Sequence, residues 1–370
     1  MNQLFSAVQI GPYRLQHRIV MAPMSRLRSN GDGTPTALAV DYYAQRSTPG
    51  GLILSEGVIM AIGGNGYLGA PGIYADLHIS GWRKITDAVH ARGGRIFMQL
   101  WHVGRVSHSD FQLDGGAPAA PSAVPFEGVA FTTEGWIAST PTRALQTNEI
   151  QALVEDYRQA TERAAAAGFD GVEVHSANGY LLDQFLHDGS NQRTDRYGGS
   201  LENRTRFLME VIEAAASVIG IERVGVRLSP TGEFGAMTDA DPEALFIDIA
   251  QRLDKLGLAY LHLIEPRVSG NDTNEDRDQK TPIAAQLIRR HFKGVIIAAG
   301  GFTPESADAI VAAGDADLVA FGRHFISNPD LPERIRANVP LARYDRDTFY
   351  GGTDAGYTDY PQHADAFAAV

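Results

Sequence analysis

Eight short runs rich in Val, Ile and Leu, separated by segments of helical periodicity, constrain the fold of this chain more than any other feature. They read HRIVMAPM (17–24), GLILSEG (51–57), GRIFMQLW (94–101), GFDGVEVHS (168–176), RVGVRLSP (223–230), LAYLHLIE (258–265), GVIIAAGG (294–301) and ADLVAFGR (316–323). Near-continuous apolar strands belong in a parallel sheet buried on both faces, and the helices between them supply the outer cover. In 148–168, for example, Ile150, Leu153, Val154 and Tyr157 fall on one stripe. Ser200 is placed to cap the helix that follows it. Eight such units predict an α/β fold of the closed (β/α)8 kind, with an open doubly wound sheet as the alternative. The 370 residues, 44% of them apolar, are read as one domain over 1–370. Two stretches fall outside the repeat. Residues 105–147, rich in Gly, Pro and Ser, are too long for an ordinary βα connection and are read as a cap after strand three, with room for a hairpin. The aromatic tail beyond about 340, DTFYGGTDAGYTDYPQH, is expected to pack back onto the body.

Composition removes several chemistries. There are no cysteines, so disulfides, thiolate metal sites, iron–sulfur clusters and a cysteine nucleophile are excluded. A formal charge of -12 without a basic block disfavours nucleic acid and anionic membranes. The opening MNQLFSAVQIGPYRL lacks the basic and apolar regions of a signal peptide, and no apolar run approaches the about 20 residues that span a bilayer. The expectation is a cytoplasmic protein whose partners are small molecules. Four lysines, Lys84, Lys255, Lys280 and Lys293, avoid the C-terminal ends of the strands, which argues against a Schiff-base aldolase. His175 and Asn178 lack neighbours at metal-ligand spacing.

Catalytic groups of such barrels come from the C-terminal ends of the strands. There the chain places Pro23, Met24 and Ser25; Glu56 and Gly57; Gln99 and Trp101; His175, Asn178 and Tyr180; Arg227; Glu265; Gly300 and Gly301; and Gly322 and Arg323. Gln99 and Arg227 inside apolar strands need partners. A bound polar heterocycle would serve both; a neighbouring carboxylate for Arg227 and a backbone group for Gln99 is the other possibility. Glycines after strands seven and eight, with Arg323, suit a phosphate site, although glycine there is also ordinary turn chemistry. The GxGxxG match GNGYLG at 64–69 runs into Pro71 rather than a helix, so it is not read as a dinucleotide fingerprint, and Tyr67 within it can face the barrel mouth.

Together MAPMSRLRS, LILSEG, FMQLWHVGR, HSANGYLLDQFL, DRYGGSLENRTRF, AAGGF and FGR strongly resemble the Old Yellow Enzyme family of flavin-dependent ene-reductases, from about residue 3 to the tail motif FYGGTDAGYTDYP. The resemblance implies an FMN-binding (β/α)8 barrel. By it, Pro23, Met24 and Ser25 line the flavin, Gly57 and Gln99 border its pyrimidine side, and Arg227 lies near N1 and O2. Gly300, Gly301, Gly322 and Arg323 hold the phosphate. His175 and Asn178 donate to a substrate carbonyl and Tyr180 supplies a proton, while Tyr67, Trp101, Arg143 and Tyr350 line the substrate pocket. Three positions bear on the likeness. Many relatives have Thr at Ser25 and some have His at Asn178, and Arg267 in IEPRV resembles the plant oxophytodienoate-reductase branch.

On this reading His175 and Asn178 share one face of a helical turn after strand four, and NAD(P)H, with NADPH favoured, reduces FMN. Hydride then passes to the β-carbon of an α,β-unsaturated carbonyl or nitroalkene, with Tyr180 protonating the α-carbon. The simpler alternative makes His175 and Asn178 mere caps of the strand end. Rival functions are nitroester or xenobiotic reduction within the same family, a flavin-free phosphate-binding isomerase or lyase, and a flavoprotein that senses redox state without turnover.

Overall fold

The computed structural model describes residues 3–230, 232–266, 268–269, 272–273 and 284–363. Arg267 and Lys280 lie outside them. Eight strands, β1 (Ile19–Met21), β2 (Leu52–Ile59), β3 (Arg95–Trp101), β4 (Gly171–Ser176), β5 (Val224–Leu228), β6 (Tyr260–Ile264), β7 (Ile296–Ala299) and β8 (Leu318–Phe321), pair in parallel and in chain order. β8 pairs with β1, which closes the barrel. Each strand is followed by a helix: α1 (Ala37–Gln45), α2 (Ile79–Ala91), α3 (Thr147–Ala166), α4 (Leu201–Ile219), α5 (Pro242–Leu253), α6 (Ala284–Arg289), α7 (Pro304–Ala313) and α8 (Leu331–Ala337). The open-sheet alternative is thereby excluded. Ser200 caps α4 by accepting from the Asn203 N–H.

Alternation within the strands decides what the barrel encloses. Ile96, Met98 and Leu100 of β3, Val172 and Val174 of β4, and Val224, Val226 and Leu228 of β5 pack into the main core. Residues of opposite parity point inward. At the N-terminal end the inward layer is apolar, with Val20, Leu52, Phe97, Tyr260, Ile297 and Leu318. The hairpin Val8–Ile10/Tyr13–Leu15 plugs that end with Ile10 and Leu15. One step higher the layer divides. Small Ala22, Ala299 and Ala320 occupy one side, while Gln99, Glu173, Arg227 and His262 occupy the other. Half of the barrel is therefore left open above its alanines, and the other half is polar.

Within the stretch 105–147, Val106, Phe126 and Trp136 line the cavity at the barrel mouth. The stretch contains the antiparallel hairpin Val129–Thr132/Gly135–Ala138 and a parallel pairing of Ala119–Ala120 with Arg143–Ala144. GNGYLG binds alongside the hairpin, with Leu68 N donating to Phe131 O at 2.6 Å and Phe131 N to Gly66 O at 3.0 Å.

The tail is held by three arginines from the first βα unit. Arg26 and Arg28 donate to carbonyls of Thr348, Phe349, Thr353, Ala355 and Gly356. Arg46, 1% exposed, donates to Tyr42, Phe325, Ile326 and Tyr357 carbonyls and stacks 3.9 Å from the Tyr42 ring centroid. Its burial lowers the guanidinium pKa to about 10, still charged at neutral pH. Arg46→Ala leaves four buried carbonyls short of a donor and should cost about 3 kcal/mol in urea unfolding. Arg46→Lys should recover little of it, because a point ammonium cannot reproduce the planar fork.

Candidate active site

Above the alanine floor, the C-terminal ends of the strands enclose a cavity of about 830 Å³. The β1 end brings Pro23, Met24 and Ser25 to its wall. Their loop is fixed from behind by Glu56, whose carboxylate accepts from the Arg26 N–H at 3.0 Å and the Leu27 N–H at 3.4 Å. Gln99, Trp101, His175, Asn178, Tyr180, Arg227, Gly300, Gly301, Gly322, Arg323, Tyr67 and Tyr350 also line the cavity. The sequence-predicted constellation is thus brought together almost whole.

Two expected members lie elsewhere. Arg143 does not line the cavity; its half-exposed guanidinium pairs with Glu149 at 2.8 Å on the outside of the cap. Gly57 is also absent from the wall. A Cβ there would stand 2.6 Å from Trp101 Cε3, so this glycine makes room for the indole. Trp101 in turn stacks on Tyr67 at 5.3 Å and meets Tyr180 edge-on at 5.0 Å.

The stretch HSANGYLLDQFL adopts a sharper geometry than the expected helical turn. His175 still belongs to β4, Asn178 takes a left-handed backbone (φ 57°), and the helix starts only at Leu181. Asparagine tolerates that conformation. Its N–H donates to Ser229 Oγ at 2.9 Å, and the Gly179 N–H donates to Asp183 Oδ2 at 2.8 Å. Gly179, also left-handed at φ 69°, could not carry a side chain, since a Cβ would lie 2.7 Å from Phe234 O. The turn aims Asn178 and Tyr180 into the cavity from beside His175, whose ring lies 5.3 Å from that of Tyr180.

Electrostatics fixes the protonation of these groups. Burial, and then the Arg227 charge, holds the His175 imidazole well below its ordinary value, so it is neutral at pH 7. Burial and the neighbouring Tyr67 push the Tyr180 phenol well above 10, and its OH lies 3.3 Å from the Tyr67 OH. Tyr67 itself is raised to about 12, chiefly by burial. Among the described residues, His175 Nδ1 and Arg227 Nε are buried without a hydrogen-bond partner. Gln99 Nε2 donates to Glu173 Oε1 at 2.7 Å, a carboxylate rather than the backbone group considered from sequence.

Gly300 (φ 115°) and Gly301 (φ 65°) form a turn at the β7 end that only glycine adopts readily. Arg323 opens the short helix Arg323–Ser327 after β8 and lies over the Tyr344 ring. Among the described residues no group of three or more His, Asp or Glu could hold a metal ion, and no helix is long and apolar enough to cross a membrane. Sequence reasoning missed Phe126 and Trp136 of the cap and Phe234 of the β5 loop, which line the cavity from irregular segments without periodicity. It also missed Glu173 and His262 in the polar layer below.

Residues 3–342 match the NADH:flavin oxidoreductase / NADH oxidase family. The chain is 45% identical to flavin oxidoreductase hxnT of Emericella nidulans over 98% of both chains. It is 46% identical to 12-oxophytodienoate reductase 1 of Oryza sativa subsp. japonica, over 97% of this chain and 92% of the relative. Among solved structures, morphinone reductase in complex with tetrahydroNAD superposes with a TM-score of 0.89 at 46% identity, covering 97% of both chains. The old yellow enzyme homologue from Zymomonas mobilis gives 0.91 at 42%, covering 97% of this chain and 99% of the other. The closed barrel, the site at its C-terminal mouth and these likenesses agree: the chain is an oxidoreductase that belongs to the Old Yellow Enzyme family.

Proposed function

We propose that this chain reduces the activated C=C bond of α,β-unsaturated carbonyl compounds with FMN as cofactor and a nicotinamide nucleotide as reductant. The observation that carries the reading is the convergence of His175, Asn178 and Tyr180 on one side of a cavity whose other wall suits a flavin. The fit to FMN rests on three features. Alanines 22, 299 and 320 leave a flat space; Arg227 and Gln99 offer a cation and an amide to a polar ring edge; and Gly300, Gly301, Gly322 and Arg323 suit a phosphate.

Bound FMN supplies hydride, taken from the nicotinamide and delivered to the alkene β-carbon. The protein does the rest. His175, neutral, and the Asn178 amide donate to the carbonyl oxygen and stabilise the negative charge that collects there. Tyr180, kept protonated by burial, gives its proton to the α-carbon. Trp101, Tyr67, Trp136 and Tyr350 close the space above with aromatic faces that exclude water. Morphinone reductase has been solved with tetrahydroNAD; we assign the same cavity of this chain to nicotinamide and alkene in turn.

The test is an anaerobic titration of the purified yellow protein. NADPH or NADH should bleach the flavin absorbance, and a cyclic enone added next should restore it with one equivalent of saturated ketone formed. A colourless protein would favour a phosphate-binding isomerase or lyase. Bleaching that no activated alkene reverses would favour a redox sensor.

A further inference from the structure

The polar layer under the cavity contains a buried carboxylate to which the reaction above gives no task. Glu173 is 0% exposed at the centre of β4. One carboxylate oxygen accepts from Gln99 Nε2 at 2.7 Å and the other from His262 Nδ1 at 2.8 Å. Arg227 lies within electrostatic reach, yet Glu173 makes no ion pair with an arginine or lysine among the described residues. Burial alone would raise its pKa, but the His262 ring, Arg227 and the two hydrogen bonds together hold it below the usual carboxylate value. Glu173 is therefore an anion, and an acceptor only.

That charge orients its neighbours. An ionised carboxylate must face the amide NH₂ of Gln99, so Gln99 turns its oxygen to the cavity. It must face an N–H of His262, so the His262 proton sits on Nδ1, and Nε2 is left buried without a partner among the described residues. His175 is the next inward residue above Glu173 on β4, and Arg227 on β5 is the register neighbour of both His175 and His262.

We propose that Glu173 is the residue that tunes the reduction potential of this site, its buried negative charge opposing the field of Arg227 at the bound flavin. The inference rests on the FMN reading of the cavity. Two-electron reduction adds negative charge to the flavin. Arg227 favours it, drawing electrons from the nicotinamide; a fixed anion one layer below disfavours it, so that the reduced state remains able to pass hydride to an alkene. A site that works in alternation needs both.

The experiment measures the flavin midpoint of holoenzyme at pH 7 by equilibration with a reference dye. Glu173→Gln removes the charge at constant size and should raise the ratio of reduced to oxidised flavin at fixed ambient potential about tenfold, equivalent to about 30 mV for this couple. Glu173→Asp keeps the charge and should stay near the wild-type midpoint, although it disturbs packing more. A flavin-loaded Gln variant with an unchanged or lowered midpoint overturns the proposal, as does an Asp variant that rises as far as Gln. Should the Gln variant not hold flavin, Glu173→Met gives the same test. Loss of flavin from both would make Glu173 structural and also overturn it. If wild-type protein binds no FMN, the reading of the site fails first, and the two failures are distinct.

Discussion

Tyr180→Phe should slow the reoxidation of reduced enzyme by a cyclic enone by about 10²-fold or more, while reduction of the enzyme by NADPH changes little. Stopped-flow measurement of each half-reaction separates the two. The asymmetry follows from where the proton is needed: hydride leaves the nicotinamide without one, whereas the α-carbon must receive one. Tyr180 is suited to give it because burial and Tyr67 push its phenol well above 10. It is protonated throughout the working range, and the rate of enone reduction should show no alkaline loss from Tyr180 between about pH 6 and 9. His175 adds no acid limb in that window, since burial holds it well below its ordinary value and it is already neutral at pH 6. Equal slowing of both half-reactions would mean that Tyr180 positions ligands rather than delivering a proton.

The barrel was legible because its signal is local: each apolar run is one strand, and seven of the eight strands fall within the predicted spans, while β2 runs two residues past its span to Ile59. The site was legible because (β/α)8 architecture puts strand ends at one mouth, so reading those ends collects Ser25, His175 and Arg227 although they are far apart in sequence. The layer beneath was missed for a reason that also lies in the strands. GVEVHS and YLHLI were read as near-continuous apolar runs, but every second residue points inward, and Glu173 and His262 share the parity of His175 and Tyr260. Period two was present and outweighed by the apolar average. Arg143 failed differently. It belongs to an irregular cap, where a shift of one residue sends a side chain outward, and Glu149, six residues on, was available to hold it there. The helical turn expected at Asn178 is a left-handed bend because Ser229 and Asp183, the first on the next strand's end, supply acceptors that a local pattern does not show.

Replacing His175 and Asn178 together by Ala should lower kcat/KM for enone reduction by about 10³-fold, the largest loss among single-site or paired changes here. Removing one such donor commonly costs about 10²- to 10³-fold, and two that share one oxygen do not add independently. A smaller loss should appear in a binding measurement free of chemistry. A para-substituted phenol should bind as its anion, presenting an oxygen with the charge that the substrate carbonyl acquires, and its contact with oxidised flavin should give a long-wavelength absorption band. The double variant should bind it at least about tenfold more weakly, with the band diminished at equal phenol concentration. Flavin content should stay at wild-type stoichiometry, because the groups assigned to the cofactor, Ser25, Gln99, Arg227, the glycine turns and Arg323, are untouched. Asn178→Ala alone carries a further signature. Its backbone is left-handed, a conformation alanine adopts at a cost, so this single variant should lose some stability as well as affinity. His175→Ala, on a regular strand, should lose affinity without that backbone penalty. Phenol affinity unchanged in the double variant would place the oxygen site elsewhere in the cavity, and the assignment of these two donors, though not of the flavin wall, would fall.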